Sequence, residues 1–143
     1  MDTFTAEQRS EIMARIHSTG TTPENQLFEL TVEVVGRRRK IVRNADQWEG
    51  KPDIWIPSLD LILFADGCFF HGCPQHCRMP ATNRDYWEQK IERNQKRDRR
   101  SRKKLREQGF AVWRFWEHDL KKPRWDATAR RIERAVSQAM DRQ

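Results

Sequence analysis

No stretch of this chain approaches the roughly 20 consecutive apolar residues that a membrane span needs. Its start, "MDTFTAEQRSEIM", has neither a basic n-region nor an apolar h-region, so no secretory signal is expected and a cytoplasmic setting follows. Cysteine is scarce. The three in 143 residues, Cys68, Cys73 and Cys77, lie within ten positions of one another. An odd number suits a disulfide framework poorly, and clustered thiols in a reducing compartment point to a metal. The chain has no internal repeat and no Pro/Gly/Ser-rich linker to divide it, and its length suits one domain over 1–143 with a single core. Six tryptophans and seven phenylalanines supply enough bulky apolar surface to argue against a disordered tail.

Acidic residues are in the minority. Lys and Arg number 28 against 21 Asp and Glu, a formal net charge of +7. That excess favours polyanions, because each phosphate neutralised by a cation releases a condensed counterion. The competing explanation is a solvated basic face that only keeps the protein soluble. Between Lys90 and Arg106 ten basic residues face two acids, Glu92 and Asp98. Lys90, Arg93 and Arg97 on that helix are candidates for tracking a phosphate backbone, with Tyr86, Trp87 and Ile91 docking its first turns.

The pattern of caps and breakers predicts the elements. "TAEQRSEIMARIHSTG" reads as a helix over about 5–18, and "TTPENQLFELTVEVVG" as a second, opened by Thr21 or Thr22 and stopped by Gly36. "RRKIVRN" suits a short edge strand. "PDIWI", "PSLD" and "LILFAD" read as a hairpin whose second strand is apolar on both faces, hence central. A long helix follows from Thr82 or Asn83 to Gly109, then "FAVWRFWEH" as another central strand, then an amphipathic helix over about 125–141. Helices flanking a mixed central sheet make an α/β domain.

Chemistry concentrates at the end of the hairpin. Asp53 opens its first strand and Asp66 ends its second; a register pairing 53 with 64 puts the two carboxylates on one face, and a one-residue slip separates them. Converging carboxylates call for a cation, and Mg²⁺ is bound through one or two of them plus phosphate oxygens. The plainer reading is that both aspartates punctuate turns. In "FADGCFFHGCPQHC", Cys68, Cys73 and His76 form a compact C-x4-C-x2-H set. His118 is a natural fourth zinc ligand, with Cys77 as the alternative to His76. His71 is left over, a candidate general base or a satisfied structural histidine. Glu24, in a first helical turn, either supports a site or favours the helix dipole. Phe69 and Phe70 read as core, or as a wedge that enters a base step.

Four ordered segments, "RSEIMARIHSTGTTPENQL", "KPDIWIPSLDLILFADGCFFHGCPQHC", "TNRDYWEQKIERNQKRDRR" and "GFAVWRFWEHDL", resemble the very-short-patch-repair DNA mismatch endonucleases over about residues 9–120. The resemblance implies a restriction-endonuclease-like α/β core with an inserted structural zinc knuckle. It also implies Mg²⁺-dependent nicking of one strand of double-stranded DNA beside a T·G mismatch. It assigns Asp53 to the metal, His71 to the hydrolytic centre, Glu24 to its support, and Cys68, Cys73, His76 and His118 to zinc. It assigns Phe69, Phe70 and Met13 to the DNA. Where the best-known members carry Thr-His, this chain has Ala65-Asp66, and Asp66 becomes a candidate second Mg²⁺ carboxylate. Where they carry Phe-Trp it has Phe-Phe, and His118 stands in place of a cysteine. The setting implied is a monomer in the bacterial-type, nucleoid-associated cytoplasm, beside mismatch-repair proteins or a cytosine methyltransferase system. The rival expectations are a nuclease of the same kind serving restriction or phage defence, and a zinc-stabilised DNA-binding module without catalysis.

Overall fold

The computed structural model describes residues 22–143, so the expected helix over about 5–18, with Met13, lies outside the described residues. Thr22 caps helix α1 (Pro23–Val35): its hydroxyl accepts the Asn25 N–H at 3.2 Å, and Pro23 occupies a first-turn position where no N–H is missed. Gly36 ends the helix at φ +79, a conformation strained for any residue with a Cβ.

Strands β1 (Val42–Arg43), β2 (Ile54–Ile56) and β3 (Leu61–Asp66) form an antiparallel meander. Helix α2 (Arg84–Glu107) then carries the chain to β4 (Ala111–Trp116), which pairs parallel to β3, and α3 (Trp125–Asp141) closes the fold. The sheet order is β1-β2-β3-β4. All six residues of β3 are buried, as its apolar run requires of a strand covered on both faces. Leu61, Leu63 and Ala65 join Leu27, Leu30, Phe115 and Ile132 in a core under α1 and α3. The alternate side chains, Ile62 and Phe64, meet Leu105 and Phe110 on the α2 side. Each large side chain so buried contributes about 1.5–3 kcal/mol by leaving water, which fixes β3 and the residues at its end.

One expectation is corrected. "FAVWRFWEH" does not run centrally: among the described residues β4 pairs with β3 alone and forms an edge, and its tail, Glu117–Leu120, turns into a short 3-10 helix. Hydropathy reports whether the faces of a strand are covered, and β4 is covered, with the Arg131 guanidinium lying over Trp113 and Phe115. Lateral pairing leaves no such trace.

Candidate active site and metal centre

In the hairpin, Ile54 stands opposite Leu63. This register sets Asp53 level with Phe64, on the face that also carries Asp66. Asp53 Oδ2 accepts the Ala65 N–H at 2.8 Å, which ties the carboxylate across the strand ends. Burial pushes the Asp53 carboxyl up from 3.8 to about 6; the Ala65 N–H opposes this, the charges of Glu24 and Asp66 add to it, and His71 works against it. A carboxylate pressed by two other acids and holding one backbone hydrogen bond favours a cation, and the hard oxygen donor suits Mg²⁺.

Asp66 is differently placed. Arg102 Nη2 lies 3.0 and 2.7 Å from its two oxygens, and Arg114 Nε is 2.6 Å from Oδ2. Asp66 and Arg102 are buried and Arg114 is half-buried, so the ion pairs are the terms that permit the burial of the aspartate. Next to them His71 Nδ1 stands 2.5 Å from Asp98 Oδ2 and 3.8 Å from Asp66 Oδ1. Burial raises the Asp98 carboxyl, but its hydrogen bond and charge contact with His71, joined by Arg102 and Arg97, bring it net below the usual carboxylate range. Asp98 therefore stays ionised and pairs with Nδ1, which leaves Nε2 as the ring nitrogen free to face another group.

Helix α2 also holds the loop that carries His71. Asn94 donates to the Phe70 carbonyl at 2.9 Å, and Gln95 Nε2 reaches the His71 and Gly72 carbonyls at 3.4 and 3.3 Å. A Cβ on Gly72, whose φ is +69, would meet Gln95 Nε2 and come 2.9 Å from Ile91 Cγ2, so the left-handed turn against the helix favours glycine.

The sulfur and imidazole donors converge on the other side of that loop. One ligand atom from each of Cys68, Cys73, His76 and His118 falls within 4.8 Å of the other three. Cys68 Sγ is 3.4 Å and Cys73 Sγ 3.7 Å from His118 Nδ1, and Cys73 Sγ is 3.8 Å from His76 Nδ1. A tetrahedral zinc with Zn–S of about 2.3 Å and Zn–N of about 2.0–2.1 Å separates S from N by about 3.6 Å, so the donor set fits that ion. Cys77 points elsewhere, its thiol donating to the Phe69 carbonyl at 3.5 Å.

Phe70 is 52 % exposed, and it does not stand alone. Phe69, Phe70, Trp87 and Tyr86 pack at centroid distances of 5.1–6.5 Å, edge to face except for the tilted Phe70–Trp87 pair, and the Lys90 ammonium lies over the Tyr86 and Trp87 rings. The core reading of Phe70 and the docking role of Tyr86 thus give way to an aromatic platform at the surface. Arg93 and Arg97 are exposed farther along α2, whereas Arg102 turns inward. The sequence reading passed over Asp98, Arg102 and Arg114. For the first two a signal existed: Ile91, Asp98, Arg102 and Leu105 recur at helical spacing, which puts an acid and a base on an apolar stripe. Arg114 had none, since a lone arginine in a strand carries no pattern.

Residues 1–79 match the family model described as DNA mismatch endonuclease Vsr. Among known relatives, the type II nicking enzyme V.NaeI of Lentzea aerocolonigenes is 40% identical over 113 residues, covering 78% of this chain and 68% of that protein. The type II nicking enzyme V.XorIIP of Xanthomonas oryzae pv. oryzae is 36% identical over 122 residues, covering 83% and 86%. The DNA mismatch endonuclease Vsr of Escherichia coli (strain K12) is 32% identical over 116 residues, covering 79% and 71%.

Proposed function

The chain belongs to the Vsr family of DNA mismatch endonucleases, and on that footing we propose that this endonuclease nicks one strand of duplex DNA at or beside a T·G mismatch, with Mg²⁺ at Asp53. The observation that carries the reading is the pairing of His71 with Asp98 at 2.5 Å, on the sheet end where Asp53 is raised to about 6. Bound there, Mg²⁺ would polarise the scissile phosphate and acidify a water.

The chain's own groups do the rest. Asp53 supplies the metal carboxylate and Glu24 adds negative charge beside it. Asp66, committed to Arg102 and Arg114, is assigned to holding the cluster together; to bind a metal it would have to release two guanidinium groups. His71 takes the water's proton at Nε2 while Asp98 holds Nδ1–H and so fixes both tautomer and ring plane. Phe69, Phe70 and Trp87 offer apolar surface to an opened base step. Unstacking costs a few kcal/mol and least at a mismatch, which turns the wedge into a preference for the lesion. Lys90, Arg93 and Arg97 carry the phosphate contacts. Cys68, Cys73, His76 and His118 hold zinc, which keeps the loop between the two chemistries folded.

A strand-labelled panel of matched and mismatched duplexes, cut at one salt concentration with Mg²⁺, tests the reading. Cleavage confined to one strand and fastest at T·G is expected. Equal rates on matched duplex would favour the restriction or defence role, in keeping with relatives named as nicking enzymes. No cleavage of any duplex would overturn the reading. Within that assay, His71→Ala should lose about 10²–10⁴-fold in rate, the usual range for a general base. Asp98→Asn should lower kcat while leaving DNA affinity unchanged, because it removes orientation and not contact.

A further inference from the structure

His118 has two ring nitrogens, and each has a neighbour close by. Nδ1 faces Cys68 and Cys73 at 3.4 and 3.7 Å, while Nε2 lies 3.4 Å from Asp119 Oδ1. Asp119 is itself held. Arg124 Nη2 is 3.6 Å from Oδ1, Arg131 Nη1 is 3.8 Å from Oδ2, and the Thr128 hydroxyl donates to the Asp119 carbonyl at 2.5 Å. All three partners lie on or just before α3, whose Trp125 and Ile132 are core residues. On the other side of His118, Glu117 Oε1 accepts the Cys68 N–H at 3.1 Å, so the same 3-10 turn grips the thiol loop from its backbone.

We propose that Asp119 is the positioning residue of the metal centre: its carboxylate holds the Nε2 proton of His118 and so aims Nδ1 at the ion, with α3 as the anchor. The inference rests on the reading of Cys68, Cys73, His76 and His118 as zinc ligands. Its physical basis is that a metal on one imidazole nitrogen makes the opposite N–H a stronger donor, so a carboxylate there stabilises the bound state more than the free one. Removing such a partner typically lowers metal affinity about 10- to 100-fold. Among the described residues no carboxylate is paired with His76, whose side chain is exposed.

The test uses the whole 143-residue chain with zinc as the probe. Zinc content and affinity by chelator competition would be compared for wild type, Asp119→Ala, Asp119→Asn and Cys73→Ser. Wild type and both Asp119 variants should bind one zinc each and Cys73→Ser none. Asp119→Ala should bind about 10- to 100-fold more weakly. Asp119→Asn keeps an acceptor oxygen without the charge and should fall between, which also serves if the alanine variant folds poorly. With Co²⁺ in place of zinc, the protein should show one slowly exchanging imidazole N–H signal by paramagnetic NMR. Asp119→Ala should lose it and Asp119→Asn keep it, a distinction that mere loss of stability would not produce. Affinity within twofold of wild type in both variants, or a slow N–H that survives Asp119→Ala, would overturn the inference while leaving the zinc reading intact. A wild-type protein that binds no zinc, like Cys73→Ser, would remove both.

Discussion

Replacing Asp53 by Asn should all but abolish nicking while making the metal-free protein more stable. The two effects share one cause. Burial, with Glu24 and Asp66 nearby, holds this carboxyl at about 6 against an ordinary 3.8. Between those values the folded chain keeps a proton that the unfolded chain has lost, so stability falls as pH rises from about 4 to about 6. Above that range the penalty is complete, and at 1.36 kcal/mol per unit it comes to roughly 2–3 kcal/mol. Asparagine carries no charge and can still accept the Ala65 N–H. Denaturant melts of the variant should therefore show the gain above about pH 6 and its disappearance near pH 4. Activity moves the other way. Lewis-acid stabilisation is worth several kcal/mol, and each 1.36 kcal/mol is tenfold in rate, so a loss of about a thousandfold or more is expected with DNA binding retained. Adding Mg²⁺ should raise the melting temperature of wild type and leave that of Asp53→Asn where it is. Cleavage that survives the substitution would remove the metal from this carboxylate.

Much of this architecture was legible before any coordinate. Thr22, Pro23 and Gly36 announce the ends of α1 because capping and left-handed backbone are local demands, met within one turn of chain. The hairpin follows from "PSLD" between two β-forming runs, and the burial of β3 up to Asp66 follows from five apolar residues that cover both faces. What sequence could not carry was anything decided across the fold. The register that levels Asp53 with Phe64 depends on how Ile54 meets Leu63, not on either strand alone. Asp66 looked like a free carboxylate because its partners, Arg102 and Arg114, lie 36 and 48 positions away on a different helix and strand. The basic run on α2 likewise reads as one phosphate-tracking surface, although Arg102 is 7% exposed and works as an interior counter-charge. Charge counts cannot tell a phosphate contact from a buried ion pair; helical periodicity can, and Asp98 and Arg102 stand where it puts the core.

Stripping the proposed zinc should disable the enzyme without unfolding it. Residues 67–83 contain no helix or strand, and of their side chains only Cys68 and Cys73 are buried. Their internal ties are turn hydrogen bonds, such as Cys73 N–H to the Cys68 carbonyl at 2.8 Å. So small an apolar contribution does not hold a loop of this length against its conformational entropy, at about 1–2 kcal/mol per ordered residue. Metal binding is the term large enough to offset it. By contrast, the cluster built on Leu27, Leu30, Phe115, Leu120 and Ile132 takes nothing from the loop. Chelation, or Cys73→Ser, should then leave far-UV circular dichroism largely unchanged while amide exchange rises across 67–83 and the first turns of α2, where Asn94 and Gln95 grip the loop. His71 and Phe70 lie in that same segment, so general base and wedge would be lost together and nicking should drop at least about a hundredfold, the lower end for a general base alone. Cys77→Ser is the internal control. Its hydroxyl can still donate toward the Phe69 carbonyl that the thiol now contacts at 3.5 Å, so zinc content and activity should stay near wild type. If instead Cys77→Ser empties the site and His76→Ala does not, the fourth donor is the neighbouring thiol. If the chelated protein nicks at full rate, the loop needs no ion, and the case for joining wedge and base through zinc fails.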